Sequence, residues 1–196
     1  MNKLIAHISM SLDGFIAGPN PAPDNPLGTN GHALHDWLFD HPDTPYNRKI
    51  TDVFKHGYGA IIMGRIMYDE SLPWWDGTGP QGDAVPCFVL TKKGTEPKDA
   101  AKVFTFVTEG IKDAFEQAKA AAGDKDVLVN GGANTIQQYV KAGMVDELRI
   151  SLVPILLGGG TSLFGSLGEY IELEQVESRD EKVVTHLTYR LKSKRQ

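Results

Sequence analysis

A strand, two glycines and a helix start follow one another within residues 127–140, and no other feature constrains the fold more. The β-branched apolar run Val127–Val129 predicts a short buried strand. Gly131 and Gly132 follow it, and helical spacing of apolar residues through Ile136 predicts a helix next. Paired glycines let a ligand lie on the backbone, and the first N–H groups of a helix favour a phosphate. The same pattern also occurs in plain tight turns, so both interpretations stay open here.

Strands and helices alternate along most of the chain, which predicts an α/β fold with a mostly parallel sheet. The late segments 145–153 and 183–191 alternate apolar and polar residues and have no helical pattern between them. We therefore expect them to form an antiparallel edge of the same sheet. No linker or repeat appears, and residues 1–196 are interpreted as a single domain. Other strands are predicted over residues 3–10, 60–63, 86–90 and 103–107, and helices over 64–71, 111–123 and 133–142.

A proline-rich segment lies between the first strand and the first predicted helix. Residues 17–45 contain six prolines and predict a long irregular segment, which in a compact domain is usually functional or mobile. Thr44 followed by Pro45 predicts an N-cap and first helical position, with Gly57 as the stop. A second irregular segment, rich in Gly and Trp, is predicted over residues 73–85.

The composition narrows the class of protein. The 196 residues carry a net charge of -5 with no basic patch, which argues against nucleic-acid binding. No run of about 18 apolar residues predicts a membrane span, and the N-terminus lacks a signal-peptide pattern. A cytoplasmic location is the resulting expectation. The one cysteine, Cys87, lies in an apolar strand and is expected to be a buried, inert thiol.

Three predicted parallel strands end in residues suited to phosphate groups. Ligands of open α/β sheets bind at the carboxyl ends of strands. Arg65 offers a bidentate fork, and Lys92 offers a cation suited to the extra phosphate that distinguishes NADPH from NADH. Taken alone, Arg65 is more typical of a surface salt bridge, and Lys92-Lys93 is more typical of a solvated turn. Together they predict one extended dinucleotide phosphate across three strand ends, formed by Gly64-Arg65, Thr91-Lys92-Lys93 and Gly131-Gly132.

Four motifs, in order along the chain, resemble known reductases. Residues 11–17, Ser-Leu-Asp-Gly-Phe-Ile-Ala, resemble the S-L-D-G-x-x-A signature of riboflavin-biosynthesis reductase domains, which form the C-terminal part of deaminase-reductases. Met63-Gly64-Arg65 with Tyr68 resembles the M-G-R-x-T-Y segment of dihydrofolate reductases. Residues 129–133 resemble the G-G-A turn that both groups share, and residues 145–148 resemble their V-D-E-L. The similarity extends over nearly the whole chain.

This resemblance implies a dihydrofolate-reductase-like fold, NADPH as the hydride donor and a homodimer. Asp13 and Gly14 would shape a mobile loop beside the nicotinamide. The cofactor contacts implied by position are Ala17, Gly64, Arg65, Ile66, Thr91, Lys92, Gly131, Gly132, Ala133 and Asn134.

The substrate side of both reductase patterns differs in this chain. Asp36 is the nearest match to the carboxylate that dihydrofolate reductases use to hold and protonate the pterin, and a carboxyl group among apolar neighbours can serve as a proton donor. A helix-capping or solvated role for Asp36 is equally open. His7 and Phe15 stand where riboflavin-type enzymes carry a lysine and a basic residue, and no Lys or Arg occurs between Arg65 and Lys92. This chain therefore lacks the cations that would be expected to bind a phosphoribosyl group or a folate tail.

The resulting hypothesis is an NADPH-dependent reductase of a small heteroaromatic or pterin-like substrate, with Asp36 or a water supplying the proton. The alternative is a non-catalytic NADP(H)-binding or sensing module. An intact hydride site near Ala17 with an open pocket lined by Asp36 would favour the enzyme, and a pocket filled by Trp74 or Trp75 would favour the module. These two tryptophans and Trp37 indicate a flat aromatic substrate or simple loop packing.

A metal site is a weaker alternative. Histidines and aspartates cluster in the proline-rich segment, and His-x-x-His can present two ligands. No distant cysteine or clear third ligand completes the set, so no metal is predicted. The cluster consists of His32, His35, Asp36, Asp40, His41 and Asp43.

Overall fold

An eight-stranded sheet forms the centre of the protein in the computed structural model, which describes residues 2–40, 44–165 and 167–192. The helices are α1 (Asp36–Phe39), α2 (Pro45–His56), α3 (Arg65–Ser71), α4 (Ile111–Ala121) and α5 (Ala133–Lys141), with 3-10 turns at Gly31–Leu34 and Leu72–Trp75. The strands are β1 (Leu4–Ser11), β2 (Phe15–Ala17), β3 (Tyr58–Gly64), β4 (Pro80–Asp83), β5 (Cys87–Leu90), β6 (Phe104–Val107), β7 (Asp126–Val129), β8 (Glu147–Val153), β9 (Thr161–Ser162), β10 (Leu173–Asp180) and β11 (Thr185–Leu191).

The strand order is β10-β11-β8-β1-β7-β3-β5-β6, and all pairs from β8 to β6 are parallel. β11 pairs antiparallel with both β8 and β10. The prediction of a mostly parallel α/β sheet with an antiparallel C-terminal edge is confirmed. β2 and β9 form a separate small antiparallel pair. Because β7, β3 and β5 are neighbours, their carboxyl ends lie side by side.

Strand alternation sends neighbouring residues to two different cores. Leu4 and Ala6 of β1 pack with the α4 and α5 side, whereas Ile5 packs with the side that carries Tyr68 of α3. Cys87 belongs to the second core, where burial raises its thiol pKa to about 12. The expectation that Cys87 is buried is confirmed, and its raised pKa agrees with the expected low reactivity of the thiol.

Local sequence features determine both ends of α2, as predicted. The Thr44 side chain accepts a hydrogen bond from the Asn47 N–H at 3.0 Å, and Pro45 is the first residue of α2. Gly57 ends the helix, with its N–H donating to Val53. The proline-rich segment is less irregular than expected, because it includes the end of β2, a 3-10 turn and α1.

β10 is the main element that the sequence pattern did not predict. All eight of its residues are exposed, so its sequence shows no alternation of buried and exposed positions. It lies at the edge of the sheet beyond β11, with a bulge between Gln175 and Glu177. Among the described residues, no helix is long and apolar enough to span a membrane.

Candidate functional site

A cavity of about 1740 Å³ opens at the carboxyl ends of β3, β5 and β7. The three strand ends named from the sequence are thus brought together in one site. All ten residues expected to contact a cofactor line this cavity, namely Ala17, Gly64, Arg65, Ile66, Thr91, Lys92, Gly131, Gly132, Ala133 and Asn134. Their placement matches the prediction, while their role as cofactor ligands stays a prediction.

The two glycines after β7 form a bare backbone surface within the cavity. The Gly64 N–H donates to the Gly131 carbonyl at 3.0 Å, which joins the ends of β3 and β7. Gly131 has a φ of +122°, a region that favours glycine. A Cβ placed on Gly132 would meet no atom within 4 Å. This turn therefore leaves room for a group to lie directly on the backbone.

Helix α5 begins at this turn and supplies the electrostatics for an anion. Gly132 is its N-cap, and no side chain caps the first turn. Uncapped N–H groups at a helix start carry a partial positive charge. Open space above Gly132 and free donors below it fit the diphosphate of a dinucleotide.

Arg65 and Thr91 lie together at the ends of β3 and β5. Arg65 Nε pairs with both carboxylate oxygens of Asp69, at 2.8 and 2.9 Å. Its Nη1 lies 3.4 Å from the Thr91 hydroxyl and also donates to the Thr95 carbonyl. Arg65 therefore forms the expected surface ion pair, with Asp69. Arg65 and Lys92 also line the cavity, so two cations and the Thr91 hydroxyl are grouped at this end of it.

Asp13 fastens the loop after β1 to the segment after β8. Its carboxylate accepts hydrogen bonds from the Ser11 hydroxyl at 2.6 Å, the Leu157 N–H at 3.1 Å and the Gly158 N–H at 2.7 Å. The Ser11 bond is the largest cause that lowers the Asp13 pKa, with the backbone N–H groups acting in the same direction. The sequence offered no sign that residues 157–158 were the partner.

Aromatic residues and buried histidines form the side of the cavity next to β1, α1 and α2. The Trp37 Nε1–H donates to the Ser9 hydroxyl at 3.1 Å. The His7 ring stacks on Phe54 with centroids 4.1 Å apart. Burial, with smaller contributions from Arg149 and His186, lowers the His7 pKa to about 3, so this ring is neutral. We call this part of the cavity the acceptor side; it is lined by His7, Ser9, His35, Trp37 and Phe54.

Asp36 does not take the place expected of it. Its neighbours His35 and Trp37 line the cavity, but Asp36 is not among the described lining residues. It is the first residue of a four-residue helix, and its carbonyl accepts from the Asp40 N–H at 2.8 Å. Sequence reasoning named His35 only as a possible metal ligand, and the apolar pattern around it was the available signal.

The two tryptophans of the later loop border the cavity without filling it. Trp74 and Trp75 both belong to its lining, and Trp74 donates to the Pro23 carbonyl at 3.0 Å. This bond links the proline-rich segment to the 3-10 turn that follows α3. The open volume, with Ala17 in its lining, agrees with the arrangement expected of an enzyme, whereas Asp36 is not among the described lining residues.

The histidine and aspartate cluster shows no metal-binding arrangement in the described part of the chain. No group of three or more His, Cys, Asp or Glu residues there has the geometry to hold an ion. His41 and Asp43 lie outside the described residues.

The mostly parallel α/β sheet carries a Gly-rich turn, a helix N-terminus and grouped cations at its strand ends, which is where proteins of the α/β class bind their ligands. Residues 2–186 match the model of the RibD C-terminal domain family. The chain belongs to this family, which confirms the resemblance to riboflavin-biosynthesis reductase domains.

The chain is also similar to individual proteins and solved structures. The chain is 27% identical over 177 residues to the uncharacterized protein YyaP of Bacillus subtilis (strain 168), covering 90% of this chain and 88% of that protein. The structure of a Shewanella sp. PV-4 protein named for riboflavin biosynthesis aligns with a TM-score of 0.73 at 28% identity, over 97% and 99% of the two chains. Dihydrofolate reductase from Enterococcus faecalis, in complex with NADP(H), aligns with a TM-score of 0.59 at 16% identity, over 97% of each chain. The last comparison confirms the dihydrofolate-reductase-like fold.

Proposed function

We propose that the protein is an NADPH-dependent reductase of a small heteroaromatic substrate. The observation that carries this proposal is the meeting of three strand ends in one cavity. Gly131-Gly132 offers bare backbone, the start of α5 offers free N–H groups, and Arg65 with Lys92 offers two cations. Membership of a reductase domain family supports the same function.

Each part of the cavity has a separate task in this proposal. The turn and α5 bind the diphosphate, and Arg65, Thr91 and Lys92 bind the additional phosphate of NADPH. When bound, the nicotinamide supplies the hydride. The pair β2–β9, which holds Ala17 opposite Thr161, forms the wall beside the reacting rings. The acceptor side excludes water and orients the substrate.

The proton source follows from the geometry of the acceptor side. Asp36 does not line the cavity, so direct donation from its carboxyl group requires a change in α1. A water molecule bound at the cavity mouth is the proton donor in this proposal. A reductase of this kind would therefore differ from enzymes that use a carboxylate on the first helix.

The absorbance at 340 nm measures NADPH oxidation, and following it in the presence of dihydrofolate, a pyrimidine riboside or a nitroaromatic compound tests the proposal. NADPH-dependent turnover of at least one acceptor supports a reductase. Tight NADPH binding with no turnover across a broad set of acceptors would favour the alternative, a non-catalytic NADP(H)-binding or sensing module. The open cavity, which Trp74 and Trp75 border, favours the enzyme over that module.

We propose in addition that two copies of the chain associate into a homodimer. β10 is an edge strand whose eight residues are all exposed, including Leu173 and Val176. An exposed edge with apolar side chains is a surface that proteins usually cover. Sedimentation velocity measures the mass directly, and a species of single-chain mass at micromolar concentration would contradict the dimer.

A further inference from the structure

His35 occupies a fixed position on the acceptor side of the cavity. Its backbone N–H donates to the His32 carbonyl at 2.8 Å, and its own carbonyl accepts from Leu38 and Phe39 at 2.8 and 3.2 Å. These bonds join the 3-10 turn to α1, so the backbone beneath the imidazole is held on both sides. His35 is one of the residues that line the cavity.

The two ring nitrogens of His35 have different surroundings. Nδ1 is fully buried and has no hydrogen-bond partner within the described part of the chain. Nε2 is not enclosed in this way and has no protein partner among the described residues either. A side chain whose backbone is fixed, yet whose ring makes no hydrogen bond to the protein, has donor or acceptor capacity available for a ligand.

The proton of the neutral ring is best placed on Nε2. A neutral imidazole carries one donor and one acceptor nitrogen. A buried N–H without a partner costs more than a buried lone pair, so the lone pair belongs on Nδ1. Burial lowers the His35 pKa to about 4, against a smaller opposing effect of Asp36, and the ring is therefore neutral near pH 7. Nε2–H is then a neutral donor at the cavity wall.

The charge around His35 restricts what this donor meets. His7 is a neutral ring, and the Ser9 hydroxyl already accepts from Trp37. Lys55 and His56, on the last turn of α2, also line the cavity but are exposed to solvent. Arg149, whose charge acts on His7, pairs with Glu147 at 2.6 Å and is not among the described lining residues. An anionic group attached to a ring on this side would therefore lose water without gaining a free buried cation, which is costly.

We propose that the His35 Nε2–H binds a ring carbonyl or ring nitrogen of an uncharged heteroaromatic acceptor. This proposal rests on the proposed reductase function and specifies its substrate site. The acceptor side then selects flat rings that carry no carboxylate or phosphate directly on the ring. His35 acts as a binding and orienting residue, and the hydride still comes from the cofactor.

Pterin and pterin-6-carboxylate form a matched pair of fluorescent probes, because they differ by one carboxylate on the same ring. Titration of each into the protein saturated with NADP⁺ measures the two dissociation constants. We expect pterin to bind at least about tenfold more tightly, a difference of about 1.4 kcal/mol. Equal or tighter binding of the carboxylate, or no binding of pterin to a protein that binds NADP⁺, would overturn the proposal.

Variants at two histidines of the same segment separate recognition from folding. His35→Phe removes the donor and should weaken pterin binding at least about tenfold, whereas His35→Gln keeps a donor and should retain most of the affinity. His32→Phe is the matched control, because His32 is exposed and is not among the described lining residues. Wild-type pterin affinity in His35→Phe would contradict the proposal.

Stability and cofactor binding complete the test. His35 makes no side-chain hydrogen bond to the described protein, so His35→Phe should not lower the melting temperature. NADPH affinity should be unchanged in all three variants. If the wild-type protein does not bind NADPH at all, the proposed reductase function is contradicted. That result is distinguishable from failure of the His35 proposal, in which NADPH binds but pterin recognition does not depend on His35.

Discussion

Gly64 at the end of β3 approaches Thr135 on α5 so closely that a Cβ at position 64 would lie 2.5 Å from the Thr135 Oγ1. Thr135 is buried, and its helix begins at the Gly131-Gly132 turn. This contact, together with the Gly64–Gly131 hydrogen bond, sets how near the two strand ends come to each other. The width of the proposed phosphate site depends on this approach.

Gly64→Ala should destabilise the protein through this contact. The added methyl group has an allowed backbone conformation but overlaps a buried hydroxyl, and overpacking of this kind costs about 1–3 kcal/mol. Urea unfolding measures the loss. The double variant Gly64→Ala/Thr135→Ala removes the oxygen and should recover part of it. Additive losses in the double variant would show that the contact is not the cause.

Gly132→Val should abolish NADPH binding and leave the fold intact. A side chain at this position enters open space, so the free energy of unfolding should change by less than about 1 kcal/mol. The same side chain occupies the volume assigned to the diphosphate. Fluorescence titration with NADPH checks the affinity, with Gly132→Ala as the smaller step. Retained affinity in the valine variant would remove the turn from the site.

Lys92→Gln should reduce the preference for NADPH over NADH by about tenfold, because charge-assisted hydrogen bonds to phosphate are strong. Lys93→Gln is the matched control: the adjacent lysine is exposed and is not among the described residues that line the cavity. Dissociation constants for both cofactors give the preference directly. Equal effects of the two substitutions would indicate general attraction rather than a defined contact.

Acidification should unfold the protein partly through His7. Its pKa is about 3 in the folded protein and 6.5 in the unfolded chain, so only the unfolded chain takes up a proton as the pH falls below 6.5. The stability that His7 contributes is therefore complete above pH 6.5 and is lost towards pH 3, by about 2 kcal/mol at pH 5. Urea unfolding at pH 8 and pH 5 measures this loss. His7→Gln should show a smaller difference between the two pH values, and an unchanged difference would exclude His7 as its source.

Asp13→Asn should loosen the contact between the loop after β1 and residues 157–158. The carboxylate accepts from two backbone N–H groups, and an asparagine side chain has one oxygen for both. Hydrogen exchange at the Leu157 and Gly158 amides should become faster. Asp24→Asn, at an exposed position of the proline-rich segment, serves as the control. Unchanged exchange would show that the segment is held by other contacts.

Local chemistry explains why much of the fold was predictable. Thr44 and Pro45 define a helix start through one side-chain oxygen and a fixed φ, and both act within four residues. The turn at Gly131 and the strand before it were likewise predictable from a few consecutive residues. β10 was not, because a fully exposed edge strand has no buried face to leave a pattern in the sequence.

The substrate side was predictable only in part for a similar reason. Asp36 and His35 are adjacent, and which of them faces the cavity depends on how a four-residue helix packs. Apolar neighbours mark such a segment as partly buried, but they do not give the direction of each side chain. The two backbone N–H partners of Asp13 lie more than 140 residues away along the chain, and no local pattern indicates them.

Calorimetric titration of NADPH and NADH, each into the wild-type protein, tests the central claim most directly. We predict one NADPH bound per chain, with at least about tenfold higher affinity than NADH, because Arg65, Thr91 and Lys92 are grouped at one end of the site. Equally weak binding of both dinucleotides would contradict the claim that the three strand ends form a site for NADPH.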